Sequence, residues 1–218
     1  MTQLTLVIGN KNYSSWSLRP WLVMKQFGLE FEEIRIPLYT PESTSQLQLY
    51  SASGKVPVLL HDQVTVWDSL AICEYLAETF SHLPCWPENK LARALARSIS
   101  AEMHSGFQNL RQNMPMNCRN KYPGKGLALG VQKDINRITD IWEECQQSFG
   151  VNGQFLFGDF TIADAMFAPV VMRFIAYDVA LDAISRNYVK AIYELPAMQE
   201  WITSAKREME VISKFEFS

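Results

Sequence analysis

Three short segments near the N-terminus carry residue types that could do chemistry. Ser14-Ser15-Trp16-Ser17-Leu18-Arg19-Pro20 puts hydroxyls and free backbone N–H groups where a strand gives way to a helix. Such an end favours an anion. The same serines also read as helix caps, Ser15 or Ser17, with Pro20 favouring Ser17 because proline is tolerated in a first turn and not deeper. Gly54-Lys55-Val56-Pro57-Val58 stands before a strand, where the proline holds Val56 extended and interrupts the ladder. Its isomer is open. A cis bond would leave the N–H and C=O of Val56 able to pair with an extended peptide, and the alternative is an ordinary start of a strand. Asp68-Ser69 opens the next helix. It offers a carboxylate to an ammonium group together with a hydroxyl and N–H donors to a carboxylate, a receptor for the zwitterionic end of an amino acid, or else only a cap.

Other signatures are missing. The sequence holds no Gly-x-Ser-x-Gly, no phosphate-binding Gly-x-x-x-x-Gly-Lys-Ser/Thr, no dinucleotide Gly-x-Gly-x-x-Gly and no His-Glu-x-x-His. His61, His82 and His104 stand alone and read as structural or solvated. The four cysteines, Cys73, Cys85, Cys118 and Cys145, fit neither a redox pair nor a zinc site, so they read as reduced thiols and no metal is expected.

The elements that must position these segments follow from periodicity. Leu4–Gly9 is a strand, Asn10–Ser15 a polar turn, and the helix bearing Leu18, Trp21 and Leu22 ends at Phe27-Gly28. Phe31–Ile36 is a second strand, Pro41–Ser53 holds one short helix, and Val58–Leu60 with Val64–Trp67 form a hairpin ahead of a helix capped by Asp68-Ser69. After Leu83-Pro84-Cys85-Trp86-Pro87 the pattern turns helical throughout. Glu88–Asn113 reads as one amphipathic helix with Leu91, Leu95, Ile99 and Met103 on one face. Val131–Phe149, Thr161–Tyr177 and Pro196–Arg207 follow, and Met114–Gly130, rich in proline, glycine and cations, reads as a functional or mobile loop. The expected organisation is a small α/β unit (residues 1–80), a linker (81–89) and an all-helical unit (90–218).

Composition narrows the partners. With 20 Lys+Arg against 23 Asp+Glu, a net charge of −3 and no run of five or more like charges, a nucleic-acid partner is not expected. An apolar fraction of 48% across 218 residues supplies a sizeable core. The longest late apolar run, Ala165–Met172, is too short to span a membrane, and Leu4–Ile8 lacks the flanks of a signal peptide, so a cytoplasmic location is expected.

In this order and spacing the three segments resemble the glutathione transferases, over essentially the whole chain. Ser14-Ser15-Trp16-Ser17 is similar to the Ser-Ser-Cys-x motif of the zeta class, which includes the maleylacetoacetate isomerases. Lys55-Val56-Pro57 resembles the family's cis-proline turn, and Asp68-Ser69-Leu70-Ala71-Ile72 its acidic-serine site. Gly158-Asp159-Phe160-Thr161-Ile162-Ala163-Asp164 resembles the N-capping motif of its helical domain; Thr161 and Asp164 fit a capping box, which assigns Asp164 to folding. The resemblance implies an α+β thioredoxin-like N-terminal domain (βαβαββα) followed by an all-α bundle, and a homodimer. It implies glutathione as co-substrate, with the γ-glutamyl end on Asp68 and Ser69, the cysteinyl backbone on Val56, and Trp16, Lys55 and Pro57 beside it. The sulfur would lie near Ser14, the expected hydroxyl donor, with Ser15 its rival. Trp16, Met103, Phe107, Arg111 and Arg173 would line the pocket of a small electrophile, although Met103 and Phe107 also read as core and Arg111 as a solvated face. Two positions depart from the zeta pattern: Trp16 replaces the motif cysteine, and Ala176 stands where a substrate-binding arginine is found, with Arg173 one turn earlier. The implied activity is glutathione conjugation. The alternatives are glutathione-dependent isomerisation or peroxide reduction and, from another class, a non-catalytic interaction module.

Overall fold

A computed structural model describes residues 3–151 and 153–217. Strands β1 (Leu4–Ile8), β2 (Glu32–Arg35), β3 (Val58–His61) and β4 (Val64–Trp67) form one sheet in the order β2-β1-β3-β4. β1 runs parallel to β2 and antiparallel to β3, which pairs antiparallel with β4. The parallel pair needs a crossover, supplied by α1 (Ser15–Gln26).

The alternation along β1 divides the apolar residues between two layers. Leu4, Leu6 and Ile8 enter the large core with α1 and α3 (Ser69–Thr79), whereas Val7 joins Ile36, Leu47 and Val58 in a small cluster on the other face. Leu47 comes from the short α2 (Ser43–Gln48). Exposed Glu32, Glu33 and Arg35 make β2 a charged edge. α1 stops at Phe27, and Gly28 takes the left-handed conformation (φ +68°) expected there.

Among the described residues no strand of the sheet follows Trp67. α4 (Lys90–Ser105), α5 (Gln108–Asn113), α6 (Val131–Phe149), α7 (Ile162–Tyr177), α8 (Ala183–Glu194) and α9 (Pro196–Arg207) complete the chain. The fold is a thioredoxin-like domain followed by a helical bundle. α7 is buried along almost its whole length and forms the bundle's axis. It begins at a capping box: the Asp164 carboxylate accepts from the Thr161 N–H at 2.8 Å and also from the Leu156 amide and the Tyr188 hydroxyl.

The structure corrects the reading in three places. Glu88–Asn113 is two helices, because the chain breaks at Gly106 and turns through a left-handed Phe107 (φ +59°). A side chain at Gly106 would put its Cβ 2.7 Å from the Glu102 carbonyl. The buried face of α4 is Ala92, Ala96, Ile99, Ser100 and Met103, leaving Leu91 72% exposed. α8 was not expected from the sequence; Asp182 caps it through the Ser185 N–H, and Tyr188 and Ile192 fix it to the core. Residues 114–122 are packed and not mobile: Met114, Met116, Cys118 and Tyr122 are buried, and the Asn12 carboxamide oxygen accepts from the amides of Cys118 and Arg119, while 123–129 are mostly exposed. Among the described residues no helix is long and apolar enough to cross a membrane. All four cysteines are free and buried, and burial holds each thiol above its ordinary pKa.

Candidate active site

A cavity of about 1070 Å³ opens between the sheet domain and the bundle. Ser14, Ser15, Trp16, Lys55, Val56, Pro57, Asp68, Ser69, Arg111 and Arg173 all line it. Met103 and Phe107 do not: Met103 is fully buried in the core, and Phe107 is held in the turn after α4.

The N-terminus of α1 forms one wall. Its cap is Ser14, not Ser15 or Ser17. The Ser14 oxygen accepts from the Ser17 N–H at 3.3 Å, and its hydroxyl donates to the Ser17 oxygen at 2.7 Å. Pro20 therefore lies in the second turn, deeper than first-turn tolerance predicts. Ser15, the first helical residue, is 7% exposed, and its oxygen accepts from an Nη2–H of Arg173 at 3.4 Å. The Asn10–Ser15 turn is anchored by the bundle: Glu208 accepts from the amides of Lys11 and Asn12 at 2.7 and 3.0 Å, and the Trp201 indole donates to the Lys11 carbonyl.

Arginines gather around Trp16. The guanidinium carbons of Arg19 and Arg111 lie 4.4 and 4.7 Å from its ring centroid, and the His104 ring meets it edge-on at 5.2 Å. Arg19 is wholly buried; its Nε donates to the Met166 carbonyl, while Nη1 and Nη2 find no hydrogen-bond partner among the described residues. Burial, then repulsion from Arg111 and Arg173, holds its pKa well below the ordinary arginine value. Burial lowers Arg111 to about 10; burial followed by Arg111 lowers Arg173 to about 9, and both stay cationic at neutral pH. Arg111 is more than a solvated face: it donates to the carbonyls of Met103, His104 and Gly106, closing the broken end of α4.

The start of α3 forms the opposite wall. Asp68 Oδ1 accepts from the amides of Leu70 and Ala71, so the residue is a cap, but its side chain remains 44% exposed. Asp68 has φ +76°, a conformation uncommon outside glycine and more often tolerated by Asp and Asn. Ser69 Oγ is buried without a hydrogen-bond partner among the described residues, the state of a donor fit for a ligand carboxylate. The Val56–Pro57 bond beside it is cis, half-buried Val56 faces the cavity, and Lys55 is exposed at its rim.

Sequence reasoning missed His104 and the C-terminal segment. His104 Nε2 lies 3.2 Å from Asp68 Oδ2, and burial lowers its pKa despite that carboxylate. No local pattern links residues 36 positions apart on different domains. Phe215 also lines the cavity; Glu216, one residue on, holds the hydroxyls of Tyr13 and Tyr122 and the amide groups of Asn117 and Asn120.

Known proteins share this fold. The family model described as the N-terminal domain of glutathione S-transferase matches residues 13–79. The chain is 31% identical over 159 residues, 72% of each chain, to a probable maleylacetoacetate isomerase of Caenorhabditis elegans. It is 30% identical over 194 residues, 85% of each chain, to the maleylacetoacetate isomerase of Rattus norvegicus. Among solved structures, a Burkholderia glutathione transferase homologue with bound glutathione superposes with a TM-score of 0.72 at 26% identity, covering 94% of this chain and 98% of the other. With the cleft between a thioredoxin-like domain and a helical bundle, these matches show that the chain belongs to the glutathione S-transferase family.

Proposed function

We propose that this protein is a glutathione transferase that holds the glutathione thiol as a thiolate and adds it to small electrophiles. One observation carries the reading: a single cavity joins the serine-bearing N-terminus of α1 to the N-terminus of α3, where Asp68 is half exposed and the Ser69 hydroxyl is orphaned. Asp68 and Ser69 take the γ-glutamyl ammonium and carboxylate, and Val56, ahead of Pro57, pairs with the peptide backbone. Lys55 and Trp16 flank the tripeptide. The sulfur lies at Ser14 and Ser15. A free thiol titrates near 8.5, so hydroxyl donation and the positive helix end favour the anion. The thiol proton leaves to solvent, and the sulfur forms the bond to the electrophile as an activated double bond opens or a halide departs to solvent; the electrophile occupies the side lined by Trp16, Arg111 and Arg173. The α/β unit (residues 1–80) supplies the glutathione subsite, and the helical unit after 81–89 supplies the electrophile subsite. The reading extends to a cytoplasmic homodimer, supported by family membership and by the exposed apolar Val64, Trp67 and Leu91. Titration calorimetry with glutathione and a conjugation assay against an aromatic halide panel test the activity. Absence of glutathione binding removes the reading, and sedimentation tests the dimer.

Glutathione-dependent isomerisation is the second reading. The names of the curated relatives support it, as do the guanidinium groups of Arg111 and Arg173, which form no ion pair with a carboxylate among the described residues and suit an acidic substrate. Conversion of a cis-unsaturated dicarboxylate to its trans isomer, dependent on glutathione but without its consumption, distinguishes this reading from conjugation.

A further inference from the structure

The two serines at the start of α1 are not equivalent. A serine hydroxyl has one proton and two acceptor lone pairs. The proton of Ser14 goes to Ser17 Oγ and one of its lone pairs takes the Ser17 N–H, so the group is engaged in closing the first turn. Ser15 has the opposite balance. Its oxygen accepts from Arg173, and a guanidinium has no lone pair to offer in return. Among the described residues nothing accepts the Ser15 proton, and Ser15 lines the cleft.

Arg173 is held rigidly enough to set that orientation. Its Nε donates to the Met114 carbonyl at 2.8 Å and Nη1 to the Pro169 carbonyl at 3.1 Å, and the residue is 4% exposed. These carbonyls fix the guanidinium plane and, being neutral, leave its charge unpaired. Arg111 and Arg19 are its cationic neighbours; the other titratable groups acting on it, the Tyr177 hydroxyl and the Cys118 thiol, are kept neutral by burial. The 3.4 Å distance to Ser15 is long, and such bonds tighten when substrate fills the site.

We propose that Arg173 is a positioning residue for Ser15: it holds the Ser15 oxygen as an acceptor, turns the hydroxyl proton into the cleft, and makes Ser15 rather than Ser14 the donor to the glutathione sulfur. The inference rests on the glutathione transferase reading and deepens it. A cation behind the donor polarises the O–H bond, and the two hydrogen bonds reinforce one another in the water-poor wall of the cleft. No bond other than the thiol S–H is broken, and its proton passes to solvent.

The test is an ultraviolet titration of the thiolate in the glutathione complex, with the pH profile of kcat/KM as a second readout. Ser15→Ala and Arg173→Gln are each expected to raise the bound thiol pKa by about one unit, lowering the ratio of thiolate to thiol about tenfold at any given pH. The double variant should move it no further than either single change, because the two groups act in series. Arg173→Lys should restore part of the shift, and Ser14→Ala should raise the thiol pKa less than Ser15→Ala does. A purely structural Arg173 would change stability without moving the titration. The proposal is overturned if Arg173→Gln leaves the thiol pKa unchanged and raises only the KM of the electrophile, or if Ser14→Ala moves the titration and Ser15→Ala does not. Should Arg173→Gln fail to fold, Ser15→Ala and Arg173→Lys carry the same comparison. Failure of the parent reading shows separately, as lack of glutathione binding by the unmodified protein in calorimetry.

Discussion

The Ser17 hydroxyl oxygen receives both the Ser14 hydroxyl at 2.7 Å and the Gly9 amide at 3.1 Å. One side-chain oxygen thus ties the end of β1 to the start of α1, and Ser17 holds in place a turn that Ser14 only caps. Ser17→Ala strands the buried Gly9 amide and should cost about 1–3 kcal/mol, against about 1 kcal/mol for the cap lost in Ser14→Ala. Urea denaturation of the two variants checks the order; equal losses would remove the distinction.

Asp68 and His104 meet across the two domains at 3.2 Å. With Asp68 as the proposed partner of the glutathione ammonium, His104→Gln should raise the KM for glutathione about three- to tenfold with little change in kcat, because it frees that carboxylate to move, and its attraction for an ammonium is of the order of 1 kcal/mol. Stability carries a second signature. The folded-state pKa of His104 lies below its unfolded value, so its contribution is complete above about pH 6.5 and is lost as pH falls through the folded pKa. Melting curves from neutral pH to about pH 5 should fall less steeply in the glutamine variant.

Burial lifts Asp164 to about 6, while four hydrogen bonds, from Leu156, from Tyr188 and two from Thr161, act in the opposite direction. Its folded-state pKa is raised, so its contribution is greatest below the unfolded value and declines as pH rises through about 6. Asp164→Ala strands those donors and should cost about 3 kcal/mol or more. Asp164→Asn keeps an acceptor and should cost less, and its pH–stability curve should lack the decline. Chemical denaturation across that range is the measurement.

Trp16 carries two guanidinium groups at 4.4 and 4.7 Å. Trp16→Ala should raise the KM of the electrophile about tenfold by loosening Arg111 at the cleft, whereas Trp16→Phe should recover most of the loss. Steady-state kinetics with the electrophile varied at saturating glutathione separate the two.

Much of this was legible in the chain because its signals are local. Leu4–Ile8, the hairpin around His61-Asp62-Gln63, the cap at Asp68 and the box of Thr161 and Asp164 are written within a few residues and formed where expected. The break at Gly106 was not legible, since Leu91, Leu95, Ile99 and Met103 continue the helical period and the stop depends on close approach to the Glu102 carbonyl and on Arg111 reaching back. The cap at Ser14 was also obscured: the rule about proline pointed to Ser17, but packing of α1 against α7 places Pro20 in the second turn. His104, Phe215 and the pairing of Arg173 with Ser15 are long-range, set by how the two layers dock and absent from any local pattern.

The clasp of Glu208 on the Lys11 and Asn12 amides, with Asn12 itself gripping Cys118 and Arg119, means that the loop ahead of Ser14 and Ser15 takes its shape from chain nearly 200 positions away. An excised fragment of residues 1–80 would keep its four strands but lose the scaffold of that loop. The catalytic half is therefore not autonomous: its chemistry is a property of the assembled polypeptide.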